Sequence, residues 1–80
     1  MSKIETLRLM LRTLKYYKQA QGFESIPPKI MTGMEPSEFT FKKWQISHEL
    51  KKSLDPVIRK EYKDLIQEYN SDNPAFPDQP

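Results

Sequence analysis

Eighty residues with no cysteine make one small domain whose core must form without a disulfide or a cysteine-bound metal. A single histidine, His48, excludes a multi-histidine metal site, and the carboxylates lack calcium-loop spacing, so no cofactor is expected. The net charge of +2 does not by itself demand a polyanionic partner, but residues 1–31 hold six basic groups against two acidic, and residues 55–80 six acidic against three basic.

The first predicted element is a helix over Lys3 to Gln21. Ile4, Leu7, Leu11 and Leu14 recur at a 3-4-3 spacing, and Met10 and Tyr17 widen the stripe. Ser2 and Glu5 have the spacing of a capping box, and Gly22 is the natural stop. Residues 22–36 then read as a loop containing Pro27, Pro28, Gly33 and Pro36, with Ile26-Pro27-Pro28 held extended. Phe23, Ile26, Ile30, Met31 and Met34 are too apolar for a solvated linker, so the loop is expected to lie across the helices and help close the core.

A second helix is predicted over Ser37 to Ser53. Phe39, Ile46 and Leu50 form its stripe, Leu54 extends it, and Phe41, Trp44 and His48 fall on a neighbouring face. Its start is ambiguous, because Phe39-Thr40-Phe41 also alternates like a strand. The third helix opens on Asp55 as N-cap and Pro56 as first helical residue, and its stripe runs through Ile58, Tyr62, Leu65, Ile66 and Tyr69 to Asn70. Residues 71–80 carry three prolines and little to bury, and read as a disordered tail. The expected class is therefore all-α: a three-helix domain over residues 1–70, with an apolar proline-rich loop between its first two helices.

Eight aromatic residues besides Trp44 distinguish the chain from a disordered polyelectrolyte. No apolar run approaches a membrane span and no signal-peptide core follows Met1, so the sequence reads as soluble and intracellular, in the cytoplasm. The first helix is basic and amphipathic, as targeting presequences are, but Glu5 and the integration of its stripe into the fold count against a cleaved peptide.

Chemistry is hard to find. His48 adjoins Glu49, but neighbouring helical residues point about 100° apart and do not pair. No phosphate loop, nucleophile elbow or histidine–carboxylate metal motif is present. The reading is not an enzyme, with His48 a half-exposed residue stacked near Trp44 one turn earlier.

Leu54-Asp55-Pro56 followed by Arg59 and Tyr62 resembles the junction into the third helix of HMG boxes, and equally the end of J-domains. Leu50 stands where an HMG box places a tryptophan, and Tyr17-Lys18-Gln19 occupies the stretch of the His-Pro-Asp triplet through which J-domains stimulate their chaperone partner. One short pattern that fits two unrelated folds is a generic capped helix start, and no family is read from it.

Surfaces are more informative. Leu9 and Tyr16 lie opposite the main stripe of the first helix, with Thr13 between them. Either the loop or another helix covers this side, or it is an exposed apolar strip flanked by Arg8, Arg12 and Lys15, suited to a partner groove or a homodimer seam. Phe41 and Trp44 offer the same kind of anchor. Arg8, Arg12, Lys15 and Lys18 with Tyr16 and Tyr17 also combine charge and rings as single-strand-binding surfaces do, and Lys42, Lys43, Lys51 and Lys52 add to them. A helix-turn-helix is disfavoured by Glu61, Asp64 and Glu68, which would approach phosphate.

The expected function is thus a non-enzymatic helical interaction module: a regulator, inhibitor or minor subunit. It would bind a larger protein with an acidic or apolar groove through Leu9, Tyr16, Phe41 and Trp44, with Arg8, Arg12 and Lys15 steering approach. The alternative is a nucleic-acid-binding domain using the basic face of the first two long helices. A homodimer is compatible with either.

Overall fold

The computed structural model describes residues 2–22 and 25–71. They form four helices: α1 (Lys3–Gln21), the short α2 (Lys29–Thr32), α3 (Pro36–Lys51) and α4 (Pro56–Asn70). No strand forms among the described residues.

Local signals set the ends of these helices. The Ser2 hydroxyl accepts from the Glu5 N–H at 3.3 Å, which satisfies one orphan donor of α1. At the other end Gly22 takes φ +79°, a left-handed conformation that favours glycine, and its N–H donates to the Lys18 carbonyl at 2.8 Å. The Asp55 carboxylate accepts from the Val57 N–H at 2.9 Å, and Pro56 occupies the first turn of α4. Arg59 donates from Nη1 to the Ser53 carbonyl at 2.6 Å, which ties the first turn of α4 back to the four-residue junction with α3. The Leu54-Asp55-Pro56 junction with Arg59 thus has a local purpose, the closing of a helical hairpin.

The strand-like alternation at Phe39-Thr40-Phe41 yields to helix. Phe39, Ile46 and Leu50 share one face only at helical spacing, and all three are buried. Two expectations are corrected. The helix stops at Lys51, so Leu54 does not extend its stripe and is 95% exposed. The loop is not wholly irregular, because α2 forms between the extended Pro28 and the left-handed Gly33. Its role in closing the core is divided: Pro27 is fully buried and Met34 packs on the core, whereas Ile30 points outward and Ile26 and Met31 are exposed. Phe23 lies outside the described residues. Ser71 ends α4, its hydroxyl donating to the Glu68 carbonyl at 2.8 Å, and positions 72–80, where the disordered tail is expected, lie outside the described residues.

Each long helix packs on the other two. Lys3 at the start of α1 pairs with Glu49 near the end of α3, so these two run antiparallel. Lys15 in the second half of α1 reaches the last turn of α4, so α1 and α4 run parallel. The buried core is Leu7, Met10, Leu11 and Leu14 of α1, Phe39, Ile46 and Leu50 of α3, and Leu65 of α4. Ile4, Met34, Ile58, Tyr62, Ile66 and Tyr69 pack around it, and no polar or charged described residue is buried. No helix among the described residues is long and apolar enough to cross a membrane.

Candidate interaction surface

The face of α3 opposite its buried stripe carries Phe41, Trp44 and His48. Phe41 is 62% and Trp44 59% exposed, although both are large and apolar. They form an ordered row. The Trp44 and His48 rings stack with centroids 5.2 Å apart and planes 15° apart, as their spacing of one turn predicts. The Phe41 ring centroid lies 6.4 Å from that of Trp44, with the planes tilted by 34°. A shallow cleft of about 180 Å³ runs alongside, lined by Trp44, Ser47, His48, Lys51 and the α4 residue Tyr62.

A second apolar surface lies on α1. Leu9 is 51% and Tyr16 48% exposed, so this side is neither sealed nor fully open. Leu9 forms one wall of a cleft of about 250 Å³ with Met10, Met31, Met34 and Phe39, which places the α2 segment partly over it. A third cleft, of about 630 Å³, is floored by the core residues Leu11, Leu14 and Phe39 and edged by Ile26, Thr40, Lys43 and Tyr69.

The basic flank of α1 is largely engaged within the fold. Lys15 donates from Nζ to the carbonyls of Glu68 at 3.3 Å and Ser71 at 2.9 Å, and so caps the negative end of α4. Arg12 lies 3.9 Å from the Glu68 carboxylate. Arg8 is half-buried and makes no ion pair among the described residues. By helical position Glu61, Asp64 and Glu68 fall on the α1-facing edge of α4. Lys15 and Arg12 thus connect the basic first helix to the last turn of α4.

The seven residues expected to bind a partner do not form one patch. Leu9, Tyr16, Arg8, Arg12 and Lys15 sit on α1, while Phe41 and Trp44 sit on α3. Each row points away from the core that the two helices share, so they belong to different sides of the molecule. His48 and Tyr62 join the α3 surface without having been among those candidates. The spacing of His48 from Trp44 signals its place, whereas Tyr62 arrives through the packing of α4.

Among the described residues no group of three histidine, cysteine or carboxylate side chains converges as a metal site would. No family model, curated protein or solved structure matches the chain.

Proposed function

We propose that this chain is a small non-enzymatic helical module, a regulator, inhibitor or minor subunit, that binds a larger protein through the outer face of α3. The observation that carries this reading is the row Phe41–Trp44–His48. Two large apolar side chains stand more than half exposed on the side away from the core, with Trp44 stacked on His48 and Phe41 tilted against Trp44. Aromatic anchors at the first, fourth and eighth positions of a helix are the pattern with which helices enter apolar grooves. Tryptophan is among the commonest residues to dominate such contacts. Leu9 and Tyr16 provide a second, half-covered surface on the opposite helix.

Lys51 lines the same cleft as Trp44 and His48, which favours nucleic acid as the second reading. The ring geometry favours protein. Base stacking needs an open ring face, and one face of the Trp44 indole is already stacked on His48 with planes 15° apart.

A photo-reactive phenylalanine analogue placed at position 41 tests the proposal, with the same analogue at position 16 for comparison. The expected outcome is a discrete protein adduct from position 41, lost when Trp44→Ala is added to a chain that circular dichroism shows still folded. Fluorescence anisotropy of single-stranded DNA and RNA at low and physiological salt tests the alternative. Tight binding with a steep salt slope there, and no protein adduct, would replace the protein reading with the nucleic-acid one.

A further inference from the structure

The outer face of α3 is complementary to itself, and we infer that a second copy of this chain docks on it, with the two α3 helices antiparallel across a two-fold axis near Trp44 and Gln45. The inference rests on the reading of this row as a docking face and names an occupant for it.

Charge complementarity carries the argument. The face is apolar in its middle and bears opposite charges at its ends. Glu38 lies in the first turn and Lys51 in the last, about 20 Å apart at the helical rise. Both are exposed, and neither makes an ion pair among the described residues. An antiparallel second copy sets Glu38 of each chain against Lys51 of the other. The same register sets Phe41 against His48 of the second copy and brings the two Trp44 rings together at the axis. A parallel copy would oppose like charges at both ends, so the face itself selects the direction.

The size of the face sets the strength. Stable interfaces bury upward of about 1,200 Å² in total, and one helical face with two aromatic rings at its centre falls short of that. The pair is accordingly weak and reversible, and a tighter-binding partner protein displaces the second copy. Because each chain uses the same patch, the assembly closes at two and does not grow into a fibre.

Sedimentation equilibrium of the full chain, from micromolar to millimolar concentration, tests this. The expected result is a monomer–dimer equilibrium that Trp44→Ala abolishes. Glu38→Lys and Lys51→Glu each weaken it by at least about fivefold, since the two-fold axis turns two attractive pairs into repulsive ones. Mixing these two variants restores association, because each then meets its opposite charge. Glu38→Gln and Lys51→Gln serve where a reversal disturbs the helix ends, and each should weaken the dimer to a smaller extent. A monomer throughout the range, or a dimer that the charge changes and their mixing leave unaltered, overturns the inference. A strictly monomeric chain would leave the protein-docking reading in place, because that stands or falls on the adduct at position 41.

Discussion

At the scale of single residues, Lys15 illustrates how a side chain can look like surface and act as structure. Its position on α1 beside Arg8 and Arg12 suggests a steering charge, yet its ammonium bridges two carbonyls at the end of α4. These acceptors are 53 and 56 residues away in sequence, so no local spacing could reveal them. Lys15→Met keeps the apolar stem and removes the donors. It should cost about 1 kcal/mol of stability in urea denaturation, with earlier hydrogen exchange at residues 68–71. Arg12→Met should cost much less, because its pair with Glu68 is long and both side chains are about half exposed. The Asp55 cap was legible for the opposite reason: its acceptor and donor are two residues apart, and Pro56 marks the site.

At the scale of elements, α3 turns a buried and an exposed phenylalanine to different faces within two positions. Phe39 is buried at 2% exposure, and Phe41, on the other face, contributes little to the core. Phe39→Ala should cost about 3–5 kcal/mol, enough to unfold so small a domain, while Phe41→Ala should stay within about 0.5 kcal/mol in thermal melts monitored by circular dichroism. Loss of partner association in the Phe41 variant is the expected companion result.

The sequence shows the period of α3 clearly but not where that period ceases to apply. Leu54 continues the arithmetic of Phe39, Ile46 and Leu50, yet the helix ends at Lys51 and the junction turns Leu54 into solvent. The four residues of α2 are too few to carry a helical period, and their boundaries follow from Pro28 and Gly33 alone. The buried stripes of α1 and α4 were legible from their sustained spacing over whole helices. Which exposed residues share a surface was not, because that depends on how the helices are placed around the core. Leu9 and Trp44 are equal candidates for anchors on a wheel, and the packing of α1 on α3 sends them to different faces.

At the scale of the whole molecule, a net charge of +2 conceals an internal arrangement of signs. Lys3 reaches Glu49, Arg12 approaches Glu68 and Lys15 closes the end of α4, so three of the basic groups of α1 have partners within the fold. All of these groups remain solvated to some degree, and molar salt should therefore lower folding stability by less than about 1 kcal/mol in denaturant titrations. Under the proposed docking, the charges that act on association are those at the ends of α3. Reversing Arg12 should be felt mainly in stability, and reversing Lys51 mainly in self-association.

The placement of Trp44 also determines what an optical experiment sees. The chain has one tryptophan, and in the folded state its indole is already more in water than in protein, with an imidazole against one face. Its emission should accordingly resemble that of an unfolded chain and shift little on heating, even while the helical dichroism melts cooperatively. A denaturation curve followed by this fluorophore alone would make a well-folded domain look unstructured. Occupation of the α3 face should do the reverse, moving the emission to shorter wavelength with no change in helicity, so Trp44 is a native probe for the docking proposed there.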